Sequence, residues 1–104
     1  MSNPRQGDVW WAEAEGKRRP VLVVTRSDAI DVLSHIIVAP LTRTVRRIPT
    51  ELPLGPDDGL PAECVASFDN LQPIGRRLLT DRVAILDPLR RREICSALAA
   101  LADC

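Results

Sequence analysis

Two short apolar runs constrain this chain more than any other feature: Pro20-Val21-Leu22-Val23-Val24 and Ile36-Ile37-Val38-Ala39-Pro40-Leu41. Both are nearly unbroken, too short for buried helices, and lack the alternation of a strand with one wet face. Runs of this kind are strands covered on both sides or curled into a barrel. Pro40 cannot donate to a ladder, so it belongs at an edge or a bulge. Chemistry flanks each run. Arg19 stands immediately before the first, and Thr42 and Arg43 end the second. A guanidinium is a rigid fork of donors matched to phosphate oxygens, and a hydroxyl adds a further hydrogen bond to the same group.

The remaining elements are short as well. Val9-Trp10-Trp11-Ala12 follows a Gly7-Asp8 turn and reads as a first strand, joined by the basic connection Gly16 to Arg19. Arg26 to Ser34 is polar, a loop or a single turn, and Thr42 to Ile48 is a basic loop without glycine. Pro49 to Leu54 alternates like an exposed strand, Gly55 to Pro61 is turn chemistry, and Glu63 to Phe68 is a strand running into Asp69-Asn70. The chain is expected to turn around Ile74 to Arg77 and to form a last short strand over Leu78 to Val83. One helix is announced: Asp87-Pro88 supplies a capping acid and a first-turn proline, and Leu89, Ile94, Leu98 and Leu101 recur near helical spacing, opposite Arg90 to Arg92. The expectation is one domain, residues 1–104, mainly β with α, whose strongly bent or barrel-like sheet is covered by a C-terminal helix.

Net charge is zero, yet the cations are not dispersed: 13 of the 14 are arginine, grouped at 18–19, 43–47, 76–82 and 90–92, while the acids are scattered singly. Such a distribution makes a basic groove on a neutral body. Aromatic residues are only 3% of the chain, with no tyrosine, so surfaces for stacking bases are few. Trp10 and Trp11 are adjacent and point to opposite sides of a strand, one into the core and the other towards a dimer interface or a base. Cys64, Cys95 and Cys104 lack CxxC spacing and read as two semi-buried small residues and a tail thiol. With His35 as the only histidine, a two-histidine mechanism within one protomer is excluded, and no cluster of carboxylates suggests a metal site; no cofactor is expected. Neither a signal peptide nor a membrane span is visible, which predicts a cytoplasmic protein without membrane contact.

Read in order, Gly7-Asp8-Val9-Trp10, Arg19-Pro20-Val21-Leu22-Val23, Val38-Ala39-Pro40-Leu41-Thr42, Thr50-Glu51-Leu52, Asp69-Asn70-Leu71 and the helix from Leu86 to Leu101 resemble the MazF/PemK family of toxin endoribonucleases. The resemblance covers nearly the whole chain. It implies a small SH3-like barrel of the CcdB/PemK type, a homodimer, and metal-independent, sequence-specific cleavage of single-stranded RNA that leaves 2′,3′-cyclic phosphate and 5′-hydroxyl ends. It also implies a cognate antitoxin with a disordered acidic segment. The family's catalytic arginine precedes the proline of the second strand and its catalytic threonine ends the third, which carries over to Arg19 and Thr42. Asp69 and Asn70 match a pair, often Asp-Gln, placed near the RNA groove. The first loop, Ala14 to Arg18, is shorter than in many members.

Cleavage by the ribose 2′-hydroxyl needs charge stabilisation at phosphorus. A guanidinium with a pKa above about 12 is a poor base, so the expected role of Arg19 is electrostatic, with a hydrogen bond from Thr42. Arg43, Arg46 and Arg47 are expected to follow the RNA backbone on a flexible loop. The competing reading is a gyrase-inhibiting toxin of the same fold without enzymatic activity, which relies on an exposed tryptophan near the C-terminus; here the last aromatic residue is Phe68. An SH3-like adaptor needs an aromatic groove that three aromatic residues can hardly build.

Overall fold

The computed structural model describes residues 3–102. Seven strands, β1 (Asp8–Ala14), β2 (Lys17–Val23), β3 (His35–Thr42), β4 (Glu51–Leu54), β5 (Cys64–Ser67), β6 (Gln72–Gly75) and β7 (Leu79–Ile85), are accompanied by two α-helices, α1 (Ser27–Ile30) and α2 (Pro88–Ala102), among the described residues. The pairings are antiparallel in the order β4-β5-β3-β2-β1-β7, with β6 also on β3, and the sheet curls into a half-closed barrel.

Strand β3 organises the barrel. Along one edge it pairs with β2; along the other it meets β6 over residues 35–38 and β5 over Leu41 and Thr42. Pro40 falls in the gap between those two pairings, where that edge has no ladder to interrupt. The near-continuous apolar runs follow from the curl. Val21 and Val23 face one core, with Trp10, Ile30, Ile36, Val38 and Leu79, while Leu22 faces the other, with Val9, Ala39, Leu52, Phe68 and Ile94. Successive residues thus alternate between two buried faces, and neither face is left for polar side chains.

Several expectations need correction. Lys17 to Arg19 are not a connection but the first residues of β2, because β1 and β2 close a two-residue hairpin at Glu15-Gly16, with φ of 53° and 73°. Both central residues of such a turn need positive φ, which glycine supplies at no steric cost. Strand β4 is buried at Glu51, Leu52 and Leu54, with only Pro53 exposed. The turn expected around Ile74 to Arg77 comes slightly later, at Arg76–Leu78, because Gln72–Gly75 pair with β3 as a strand. In α2, Asp87 caps as expected, accepting the Arg90 N–H at 3.0 Å. The buried helix residues are Ile94 and Ala97, whereas Leu89 is 71% exposed and Leu101 40%. The helix packs against β4 and the 68–70 turn, and its ends at Leu89 and Leu101 stay exposed. Cys95 is exposed and Cys64 half-buried; Cys104 lies outside the described residues.

Candidate active site

Strand register brings the two residues singled out in sequence together. β2 and β3 pair Val23 with Val38 and Val21 with Pro40, and continuing that register two residues further sets Arg19 opposite Thr42. Directly opposed residues share a sheet face with Cβ atoms about 5 Å apart. Both line a cleft of about 600 Å³, together with Thr44, Arg46, Asp69, Asn70 and Gln72. Arg19 is exposed and Thr42 half-buried at its end of β3.

The walls are held by local hydrogen bonds. Thr42 Oγ1 accepts the Thr44 N–H at 3.1 Å, which leaves the hydroxyl hydrogen free to donate into the cleft. Asn70 donates from Nδ2 to Ser67 Oγ at 2.8 Å, and Asp69 Oδ2 accepts the Thr50 hydroxyl at 2.6 Å. These two bonds hold the short turn Phe68–Asn70 onto β5 and onto the residue before β4.

The arginines expected on one track divide. Arg46 lines the cleft with Arg19 and Thr42. Arg43 instead lines a neighbouring apolar cleft of about 320 Å³ with Trp11, Leu60, Pro61 and Val83, which shares Thr42 as a common wall. Arg47 lies in neither, and its backbone is left-handed at φ 57°. Nor is the loop freely flexible, because Oε1 of Glu51 accepts the N–H groups of Arg46 at 2.8 Å and Arg47 at 3.0 Å. In sequence Glu51 is hidden inside Thr50-Glu51-Leu52, and its one signal is a charge within an apolar strand.

Most of the chain's cations, Arg19, Arg43, Arg46 and Arg47 included, form no ion pair among the described residues, while Arg18 pairs with Asp81 at 2.7 Å and Arg26 with Asp28 at 3.1 Å. Arg18 also sits over the half-buried Trp11 ring, 4.6 Å from its centroid, and Trp10 is the core tryptophan. His35 is exposed, 3.2 Å from Ser34 Oγ, at the far end of β3 from Thr42. Burial pushes the Cys64 thiol above its usual pKa, Asp58 adds to that rise, and Arg43 opposes it. Among the described residues no three His, Cys, Asp or Glu side chains gather as metal ligands, and no helix is long and apolar enough to cross a membrane.

Comparison with known proteins places the chain in a family. The family described as PemK-like, MazF-like toxin of type II toxin-antitoxin system matches residues 5–102. The chain is 38% identical over 101 residues to a probable endoribonuclease MazF2 of Mycobacterium tuberculosis, covering 96% of this chain and 99% of that protein. Among solved structures, the Mycobacterium tuberculosis toxin MazF-mt6 superposes with a TM-score of 0.84 at 32% identity, covering 92% of this chain and 96% of that one. A mycobacterial endoribonuclease in complex with its cognate antitoxin gives 0.82 at 30% identity, covering 95% of both chains.

Proposed function

The chain belongs to the PemK-like, MazF-like toxins of type II toxin–antitoxin systems, and from that premise we propose that it is a sequence-specific endoribonuclease that cuts single-stranded RNA in the Arg19–Thr42 cleft. The observation that carries the reading is that Arg19, which has no salt bridge among the described residues, and Thr42 line the same polar cleft. Relatives along nearly the full length are named endoribonucleases.

In the proposed reaction the ribose 2′-oxygen attacks the adjacent phosphorus. The O2′–P bond forms, the P–O5′ bond breaks, the 2′ proton is lost and the departing 5′-oxygen gains one. Charge accumulates on the non-bridging oxygens, where Arg19 stabilises it and Thr42 donates its hydrogen bond. Arg46 holds a flanking phosphate, and Arg43 and Arg47 lie outside the cleft along the strand's path. Asp69 and Asn70 present an acceptor and an amide towards the nucleotides at the opposite wall. No step uses a metal ion.

The toxin acts in the cytoplasm as a homodimer, one domain over 1–104, and an isologous pairing doubles its basic surface. Its antitoxin covers the cleft with a disordered acidic segment whose carboxylates replace phosphates at the same guanidiniums. A relative of similar fold is known in complex with its cognate antitoxin. Incubation of a long RNA with the purified protein in EDTA, followed by mapping of the new ends, tests the reading. Expected are cuts at one short sequence with 5′-hydroxyl and 2′,3′-cyclic phosphate ends. Intact RNA, or cleavage that EDTA stops, overturns it.

A further inference from the structure

We infer that Glu51 is a positioning residue of the RNA-cleaving site, a buried carboxylate that sets the shape of the arginine loop; this rests on the proposed nuclease reading. Glu51 is 7% exposed at the first position of β4, paired with Ser67. One of its oxygens accepts two successive loop N–H groups, those of Arg46 and Arg47, and its own N–H donates to the Ile48 carbonyl at 3.0 Å. Successive N–H groups converging on one oxygen form an anion-binding concavity, and here the anion comes from the protein itself.

The second oxygen, Oε2, is buried without a hydrogen-bond partner among the described residues. Leaving half a carboxylate unsatisfied in the interior is costly. That cost is offset locally by what the carboxylate organises. It holds Arg47 in a left-handed conformation that a non-glycine residue adopts only under constraint. It also fixes the backbone of Arg46, whose side chain lines the cleft.

The adjacent Thr50 completes the brace. Its hydroxyl bonds Asp69 on the opposite wall, so Thr50 and Glu51 together tie the two sides of the cleft, Arg46 and Asp69, to the start of one strand. The spacing between a phosphate contact and a nucleotide contact is therefore set by β4, and RNA meets a preorganised loop that does not have to be ordered on binding.

The test compares Glu51→Ala, Glu51→Gln and Glu51→Asp by amide hydrogen exchange and by steady-state RNA cleavage. Glu51→Ala should speed exchange at Arg46 and Arg47 about tenfold or more and raise KM by a similar factor, with kcat within about twofold. Glu51→Gln keeps an acceptor oxygen and should stay near the parent in both measurements, while Glu51→Asp, too short to reach both N–H groups, should move towards the alanine variant. Should Glu51→Ala fail to fold, the order of the other two decides: glutamine impaired and aspartate normal means that charge acts, not reach, and the inference fails. Unchanged exchange at both amides, or a loss confined to kcat, also overturns it. A folded parent that does not cut RNA refutes the nuclease reading instead, and the exchange data still decide whether Glu51 holds the loop.

Discussion

Arginines at the cleft and at the foot of α2 carry the same charge and do opposite things. Arg90 is only 29% exposed at its side chain and engaged at all three nitrogens: its Nε lies 3.2 Å from Asp58, and its terminal nitrogens bond Glu93 and the Pro53 carbonyl. It fastens the helix to the loop before β5. Arg19 and Arg46 have no ion pair among the described residues and line a polar cleft. With three of its five N–H donors taken by two carboxylates and a carbonyl, the Arg90 guanidinium is neutralised and held in place, and has little left to offer a phosphate. Freedom from carboxylates is a condition for binding phosphate, and Arg19 and Arg46 add to it a place beside Thr42 in one cleft.

The sharpest way to break this contrast is at the cleft. Arg19→Ala and Thr42→Val should each lower cleavage by about 10²–10³-fold, with melting temperatures near the parent's, since Arg19 is exposed. Single-turnover cleavage beside a thermal melt checks both halves, and a variant cutting at the parent rate would show that the residue it replaces takes no part in cleavage. Arg90→Ala should do the reverse. Loss of its partly buried bonds to Asp58 and Pro53 should cost about 1–3 kcal/mol of stability in a urea titration, with cleavage per folded molecule unchanged.

A smaller effect is expected at the loop. Arg46→Glu with Arg47→Glu should weaken binding of a non-cleavable RNA and flatten its salt dependence by about 0.7 for each phosphate the loop no longer neutralises. The same variant should weaken antitoxin binding; if it loses RNA alone, the two ligands do not share these guanidiniums. The smallest effect falls on Cys64, which reports on both regions because Asp58 raises its pKa and Arg43 lowers it. A raised pKa means less thiolate at a given pH, so alkylation of Cys64 should climb at higher pH than that of a free cysteine thiol. Arg43→Ala should move that profile further up and Asp58→Asn should move it down; equal profiles in all three proteins would show that neither group's field reaches the thiol.

Legibility follows the range of the interaction. The strand cores at Val21 to Val23 and Ile36 to Ala39, the capping acid Asp87, and the Arg19 and Thr42 positions are readable because each rests on neighbouring residues or on an ordered family pattern. The first hairpin is not, since Lys17 to Arg19 have a loop's composition and become strand only through pairing with Glu13, Ala14 and Ala12. Strand β6 escapes for the same reason: Gln72 to Gly75 has little propensity of its own and takes its conformation from β3.

What the sequence by itself determined is the family, the curled β architecture, and an arginine and a threonine flanking the two apolar runs, because these depend on residue types in fixed order. Only the tertiary structure decided that Arg46 joins them while Arg43 faces an apolar cleft, that Arg90 is spent on Asp58, and that Glu51 is buried beneath the loop. Those outcomes depend on which carboxylate or amide arrives from a distant segment. A charged side chain's role is set by its partners, and the curl of the barrel chooses them.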